Sequence, residues 1–549
     1  MTTTHPAWPD AFAERYRAGG HWSGRTFGDL LRTWAAERPT TTALVDGDRR
    51  WTYAGLDADV DRLTRGLRQL GFRQGDRVVV QLPNRAEFVL LWFALQRLGA
   101  VPVHAMPGHR RTEIGHLLHV SGASACVIPD RHARFDHREM LLELLAGQSG
   151  GGPLRHVIVA GDPGHHRQFT GFDELLDETR GGLAHGISPD RQESGPASGD
   201  LALLLHSGGT TGLPKLIPRT HDDYAYNARA AAEICGLGDD SVYLAVLPIA
   251  FNFTLACPGV LGTLTAGGTV VVSPDPSPQT AFALIEREGV TITSLTPPLV
   301  PHWMNEAASG DADLSSLKVL QVGGARLPDD VARALGPALG VTVQQVFGMA
   351  EGLINLTRLD DSEALICTTQ GRPISPDDEI LVVDSEGMPV PDGVAGELLT
   401  RGPYTLRGYY RAEEHNRVSF TADGFYRTGD VVRRLPSGHL VVVGRVKDQI
   451  NRGGEKIAAA EVEEHLLAHP AVTAAALVGA PDERWGERSV AFLVCAGDLP
   501  GPRELAAFLK ERGLASYKSP DQVVEVAAMP LTPVGKIDKT ALAEMLRPV

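Results

Sequence analysis

Ser207-Gly208-Gly209-Thr210-Thr211-Gly212-Leu213-Pro214-Lys215 follows an apolar run, Leu201–Leu205, whose pattern predicts a buried strand. Three glycines let backbone N–H groups approach an anion closely, and the serine and two threonines add hydroxyl donors. Lys215 adds a positive charge. The set suits a polyphosphate. It is not a Walker P-loop, because Lys215 stands three residues after Gly212 and is followed by Leu216 rather than Ser or Thr. Taken alone, an ordinary Gly-rich turn is the plainer alternative.

Working outward, the first 180 residues alternate helical patterns with short apolar strands. Thr26–Ala36 and Ala54–Leu70 have apolar residues at helical spacing. Arg77–Leu82 is a strand run, Glu87–Leu98 is a helix closed by Gly99, and Val101–Val103 and Ala125–Ile128 are further strands. This alternation predicts a parallel sheet covered by helices. The polar stretch 185–200 is expected to be a surface joint. Strands resume at Thr291–Leu295, Val319–Val322 and Val341–Val346, and from Asp378 to Tyr410 short strands and turns predict a β-rich subdomain. The last hundred or so residues read as a small α+β unit. It has helices at Glu461–His469 and Arg503–Arg512, and strands at Val472–Val478, Ser489–Val494 and Gln522–Val526. The expected fold class is therefore α/β. A large N-terminal part, residues 1–446, combines parallel-sheet α/β subdomains with the β-rich one, and a small mobile α+β part spans 447–549.

Composition narrows the function. The 549 residues hold 52 Lys+Arg against 67 Asp+Glu, a formal charge of −15, which argues against a general nucleic-acid or anionic-membrane binder. From Ser241 to Pro274 there are 34 residues without a charge, longer than the ~20 that span a membrane. Pro248, Pro258, Gly259, Gly262, Gly267 and Gly268 interrupt the run. It reads as a strand (Val242–Leu247), a loop, a short helix and a second strand (Thr269–Ser273) in a buried core. The five cysteines, Cys126, Cys235, Cys257, Cys367 and Cys495, are far apart and form no CxxC pair, so neither a zinc site nor a disulfide framework is indicated. The N-terminus lacks an apolar signal core. The expected location is cytoplasmic.

The stretch S-G-G-T-T-G-L-P-K resembles the phosphate loop of the adenylate-forming superfamily, which includes acyl- and aryl-CoA ligases and adenylation domains of nonribosomal peptide synthetases. Further motifs stand in that family's order: Gly323-Gly324-Ala325, Phe347-Gly348-Met349-Ala350-Glu351-Gly352, Gly396-Glu397-Leu398, Tyr426-Arg427-Thr428-Gly429-Asp430, Gly444-Arg445-Val446-Lys447-Asp448 and Pro533-Val534-Gly535-Lys536. The resemblance covers nearly the whole chain. The stretches KLIPRTHDDY, LQVGGA, QQVFGMAEG, TRGPYTLRGYY and DQINRGGEK look like the stand-alone aryl-acid–AMP ligases of siderophore and related pathways.

The resemblance implies a two-step reaction using ATP and Mg2+. An aryl carboxylic acid and ATP give aryl-AMP and pyrophosphate, and the aryl group then passes to a thiol. The thiol is expected to be the phosphopantetheine of an aryl carrier protein, with CoA as the alternative. Lys536 is implied as the catalytic cation, offsetting charge as carboxylate meets α-phosphate. Glu351 is implied as the single protein ligand of Mg2+, an ion that binds few carboxylates plus phosphate oxygens. Position 350 is Ala, where the broad family often has Thr. Asp430 is expected to accept from the ribose hydroxyls, with Arg445 as a second ribose or phosphate contact. Gly323, Gly324 and Ala325, with Val346, Phe347, Gly348, Met349 and Ala350, are implied around the nucleotide. Lys447 matches the hinge about which the small part rotates. Each residue also has a plainer alternative: a solvated Lys or Glu, a structural ion pair for Asp430 and Arg445, a close-packed turn for the glycines.

The acid pocket is expected along Pro248–Gly259, with Phe251, Asn252, Phe253 and Cys257 joined by Gly324 and Val346. Dihydroxybenzoate ligases resemble P-M-A-H-N-Y-P-L-S-S-P-G here. Asn252 is retained, and in that subgroup it bonds the ortho hydroxyl. Cys257 stands for a serine near the 3-hydroxyl; a thiol is a weak donor, which favours an acid lacking that group, such as salicylate. Phe251 replaces the subgroup's His. The expected activity is adenylation of salicylate or a close hydroxy-aryl acid, with 2,3-dihydroxybenzoate and 3-hydroxypicolinate as alternatives. A non-catalytic aryl-acid or nucleotide-binding protein, or a luciferase-like oxygenase, would also suit this fold.

Overall fold

The computed structural model of the chain describes residues 6–146, 154–177, 195–207, 214–452, 455–482, 484–512, 514–532 and 535–546; the side chains of residues 447, 451, 455 and 456 lie outside this description. Most of the expected joint, 185–200, therefore falls outside it.

Among the described residues, two large sheets organise the first 370. One runs in the order Arg372–Pro373, Gly352–Leu356, Thr342–Met349, Val319–Gly323, Ile292–Leu295, Val242–Ala245, Thr269–Val272, Thr42–Asp46 and Arg49–Thr52. Its interior pairs are parallel, and antiparallel strands close both edges. The other runs Leu216–Thr220, Leu201–His206, Val101–His104, Arg77–Val80, Ala125–Pro129, His156–Ala160 and Phe169–Gly171. It too is parallel except where Leu216–Thr220 pairs antiparallel with Leu201–His206. The βα alternation thus builds two sheets, in keeping with the expected parallel-sheet α/β subdomains.

One continuous core takes side chains from both sheets and from the helices Phe27–Glu37, Tyr53–Gln69, Ala86–Leu98, His221–Ile234 and Gly259–Ala266. Ala86–Leu98 is buried over its whole length, as a helix apolar on every face must be. Its two charges carry partners inside. Glu87 accepts from Arg49 and Arg85, each at 2.7 Å, and Arg97 pairs with Asp57 and Asp61. Burial raises the Glu87 carboxyl, but the two guanidinium groups outweigh it and hold the group at about 2. Gly99 ends this helix in the left-handed conformation (φ +75°).

The uncharged run 241–274 is core, and it folds as strand, two helices and strand. Asn252–Ala256 and Gly259–Ala266 are separate helices where the sequence reading had a single short one. Gly259 explains the break: its φ is +56°, and a β-carbon there would lie 2.0 Å from Thr254 O. No described helix is long and apolar enough to cross a membrane.

A four-stranded antiparallel sheet follows (Glu379–Val383, Ala395–Arg401, Tyr426–Arg434, Leu440–Arg445). After the short turn Val446–Asp448 a last sheet forms from Glu455–Ala458, Gln449–Arg452, Gly486–Cys495 and Val472–Asp482, with Gln522–Glu525 parallel to Gly486–Cys495. This sheet has its own core with helices Ala459–Leu467 and Pro502–Glu511. Arg326 reaches across to Glu464 (2.7 Å) and ties it to the larger part of the molecule.

Candidate active site

The stretch Ser207–Lys215 lies between two antiparallel strands. Leu201–His206 and Leu216–Thr220 pair up to His206 and Leu216, which face each other. Beyond that pair, Ser207 N donates to Lys215 O (2.9 Å) and Lys215 N donates to Ser207 Oγ (3.1 Å), so both ends of the loop are tied. Gly208, Gly209, Thr210, Thr211 and Gly212 lie outside the described residues. Lys215 Nζ stands 5.2 Å from the centre of the Tyr409 ring.

Tyr409 leads to Glu351. Its hydroxyl donates to Glu351 Oε1 (2.9 Å) and lies 2.9 Å from the Tyr426 hydroxyl. The turn that presents Glu351 is clamped from two sides: Leu406 N donates to Glu351 O (2.7 Å), and Arg219 Nη1 donates to Ala350 O (3.0 Å). The next residue must be glycine. Gly352 has φ +123°, and a β-carbon there would sit 2.4 Å from Thr405 Cα.

Asp430 and Arg445 face each other on neighbouring strands. Arg445 Nε contacts Asp430 Oδ1 at 2.9 Å, and Asp430 is 4% exposed. Burial pushes the Asp430 carboxyl up, while Arg445 and Lys536 pull it down. Asp430 in turn raises the Arg445 guanidinium.

Lys536 comes from the far end of the chain. Gly535 N donates to Thr532 O (2.8 Å), Thr532 N to Lys536 O (2.7 Å) and Lys536 N to Thr532 Oγ1 (3.1 Å), a tight turn that needs Gly535 at φ +76°. The turn seats against Gly324, where an added β-carbon would lie 3.8 Å from Lys536 Cε, and near Thr296 Oγ1. Burial and the nearby Arg445 push the Lys536 amine down to about 8, against the pull of Asp430 and Glu351.

The expected pocket segment lies beside this cluster. Phe251 is half-buried, and Asn252, Phe253 and Cys257 are buried. A β-carbon at Gly323 would meet Val346 O at 2.9 Å and Phe253 Cε1 at 3.1 Å, so Gly323, Val346 and Phe253 form one close-packed wall. Asn252 Oδ1 accepts from Tyr224 Oη (2.8 Å), and its Nδ2 donates to Cys257 Sγ (3.5 Å). Burial raises the Cys257 thiol to about 12, so it stays neutral.

Alternation along Thr342–Met349 turns Val346 into the main core, and the Phe347 side chain packs with Leu353, Val382, Leu398 and Val432 in the β-rich core. The Ala350 carbonyl is taken by Arg219. Ala325 and Gly348 stand next to residues of this wall in the same strand-and-turn segments, Met349 packs on the main core, and the Lys447 backbone lies in the Val446–Asp448 turn. Sequence reasoning gave no role to Tyr409, Tyr224, Arg219 or Thr296. The first three lie within stretches that carried the family resemblance, but no spacing pairs Tyr224 with Asn252 or Tyr409 with Glu351. The one local signal was a charge, Arg219, inside a strand run.

The chain is similar to known proteins over nearly its whole length. The family model described as AMP-binding enzyme matches residues 31–410, and that of the AMP-binding enzyme C-terminal domain matches residues 461–536. The chain is 53% identical to a 2,3-dihydroxybenzoate-AMP ligase of Bacillus subtilis, over 98% of this chain and 97% of that protein. It is 49% identical to the salicyl-AMP ligase / salicyl-S-ArCP synthetase of Mycobacterium tuberculosis, over 97% of this chain and 93% of that one. The apo structure of Mycobacterium smegmatis MbtA aligns with a TM-score of 0.74 at 48% identity and covers 99% of both chains.

Proposed function

The chain belongs to the AMP-binding enzyme family, and from that premise we propose how its residues carry out an aryl-acid adenylation and which acid and acceptor they serve. The protein is an AMP-forming aryl-acid adenylating ligase that uses ATP. Salicylate, or a close hydroxy-aryl acid, is the substrate we assign. The acceptor we assign is the phosphopantetheine thiol of a carrier protein, and the pathway is a siderophore or related natural-product route.

The observation that carries this reading is the seat of Lys536. Its side chain passes Gly324, with Cε 3.8 Å from where a β-carbon on that glycine would lie, and its amine is within electrostatic reach of Asp430, Arg445 and Glu351. In the first step a carboxylate oxygen of the acid forms a bond to the α-phosphorus of ATP, and the bond to pyrophosphate breaks. Two anions approach each other, so a cation fixed beforehand stabilises the transition state more than water does. Lys536 is that cation. Lys215 and the hydroxyls and N–H groups of its loop hold the departing phosphates. Asp430 accepts from the ribose hydroxyls, with Arg445 orienting its carboxylate. In the second step a thiol attacks the acyl carbon and AMP leaves. The domain that carries Lys536, residues 447–549, turns about Lys447 between the steps.

The residues present fit Mg2+. Glu351 is half-buried, and Tyr409 holds one of its oxygens, leaving the other for the ion. Among the described residues no group of three or more His, Cys, Asp or Glu could hold a metal. That suits an ion whose remaining ligands are phosphate oxygens and water. When bound, Mg2+ supplies positive charge to the phosphates.

Cys257 supports salicylate over 2,3-dihydroxybenzoate. Its thiol is buried, neutral and engaged with Asn252, and offers little to a 3-hydroxyl. All five cysteines are unpaired thiols, which supports a cytoplasmic site of action. The test is ATP–pyrophosphate exchange with salicylate, 2,3-dihydroxybenzoate, benzoate, anthranilate and 3-hydroxypicolinate. Salicylate should give the largest kcat/KM, and exchange that ignores every aryl acid overturns the reading. Transfer from the preferred acyl-AMP to carrier protein and to CoA then ranks the acceptors.

A further inference from the structure

Helix His221–Ile234 grips the pocket segment at two points. Tyr224 Oη donates to Asn252 Oδ1 at 2.8 Å, and one turn later Asn227 Nδ2 donates to Ala256 O at 2.7 Å. Tyr224 has no freedom to choose another geometry. It is fully buried, in the first turn of a helix whose start is locked by a reciprocal cap between Thr220 and Asp223. The Arg219 guanidinium lies 4.7 Å from its ring centre. Arg219 is itself buried. It is held by Asp223 (Nε to Oδ1, 2.6 Å) and donates through Nη1 to Ala350 O (3.0 Å), the carbonyl next to Glu351. Among the described residues its Nη2 has no hydrogen-bond partner.

An amide side chain has two faces of opposite character: C=O accepts and NH2 donates. A pocket that uses an amide to read a ring substituent therefore needs something to fix which face points inward. Inside a core, a rigidly held donor with one acceptor in reach can do this. The Tyr224 phenol could also accept, but with the amide turned over its N–H would donate to the phenol oxygen and the buried phenol hydrogen would lose Asn252 Oδ1, its hydrogen-bond acceptor among the described residues.

We propose that Tyr224, braced by Arg219, is the specificity-determining positioning residue of the acid pocket: its hydroxyl engages Asn252 Oδ1, so that Nδ2, which gives one hydrogen to Cys257 Sγ, keeps its other hydrogen for the acid, and the pocket thereby selects an ortho substituent that accepts a hydrogen bond. The proposal deepens the assignment of an ortho-hydroxy aryl acid and rests on it. Arg219 joins the same unit to the Ala350–Glu351 turn, so the acid pocket and the Glu351 side of the site share one brace. Tyr224 itself acts on the acid only through Asn252.

Tyr224→Phe keeps the ring and removes the hydroxyl. In ATP–pyrophosphate exchange, the kcat/KM of salicylate relative to benzoate should fall about 3- to 10-fold, the range expected for one neutral hydrogen bond. Anthranilate, whose ortho amino group donates, should gain relative to salicylate, because the freed amide can turn its oxygen inward. The KM for ATP should stay within about twofold, since the nucleotide contacts are elsewhere. A uniform loss for all acids, or unchanged ratios, overturns the proposal, because a purely structural tyrosine would not discriminate between rings. A double-mutant cycle with Asn252→Ala gives an independent reading. Once the amide is gone, Tyr224→Phe should leave the salicylate-to-benzoate ratio unchanged, and an equal effect in both backgrounds contradicts the mechanism. If the unmutated protein shows no aryl-acid-dependent exchange, the functional assignment fails and the proposal falls with it; normal exchange with unaltered ratios removes the proposal alone.

Discussion

Arg445 Nε lies 2.9 Å from Asp430 Oδ1, across two neighbouring antiparallel strands, and both residues are within electrostatic reach of Lys536. The pair fixes a carboxylate that burial alone would tend to neutralise. Arg445→Ala should therefore leave Asp430 poorly held and raise the KM for ATP about tenfold or more, the scale of a lost charge-assisted hydrogen bond. Initial rates at saturating aryl acid measure this. An unchanged ATP KM would leave the pair as a purely structural bridge.

The same neighbourhood sets a pH dependence. Lys536 must carry its proton to act as a cation, and burial together with Arg445 brings its amine down to about 8. The kcat/KM for adenylation, which reports the free enzyme, should fall as pH rises through about 8. Removing Arg445 takes away a like charge, so the midpoint should move up in Arg445→Ala. A downward movement would contradict this placement of the two cations.

Cys257→Ser restores a hydroxyl where the pocket holds a neutral thiol. It should raise the kcat/KM for 2,3-dihydroxybenzoate relative to salicylate, by up to about tenfold for one added hydrogen bond. The ratio in ATP–pyrophosphate exchange decides the matter: if it does not change, Cys257 is packing only.

Gly352→Ala tests the turn that presents Glu351. The added carbon would meet Thr405 Cα at 2.4 Å with φ at +123°, so we expect a loss of roughly 2–4 kcal/mol in urea unfolding. Gly289→Ala is the control. Its φ is +65° but nothing lies within 4 Å of the new carbon, so it should cost only about 1–2 kcal/mol. Equal losses would mean that the Thr405 backbone yields freely.

Much of this fold is legible in the sequence because its signals are local. Gly99 closes its helix where the apolar pattern stops, and Thr26 caps the next residue's helix start. Pro and Gly inside 241–274 mark it as broken core instead of a span. What is not legible depends on residues far apart in the chain. The same βα rhythm is compatible with one sheet or two. Phe347 carries a motif position, yet strand alternation turns its ring into another core. Tyr224 and Asn252 are 28 residues apart, Tyr409 and Glu351 58, and no periodicity links either pair. The position of Lys536 beside Gly324 brings together residues more than two hundred apart in the chain, which the family resemblance implies and no single segment encodes.

The central claim is that Lys536, delivered by the C-terminal part of the chain, drives adenylation and not thiol transfer. Single-turnover rates of Lys536→Ala in the two half-reactions test it most directly. Aryl-AMP formation from salicylate and ATP should slow by roughly 10²–10³ or more, as for removal of one transition-state donor. Transfer from supplied aryl-AMP to the thiol should stay near the unmutated rate. An equal loss in both half-reactions, or full adenylation without the lysine, would contradict the account.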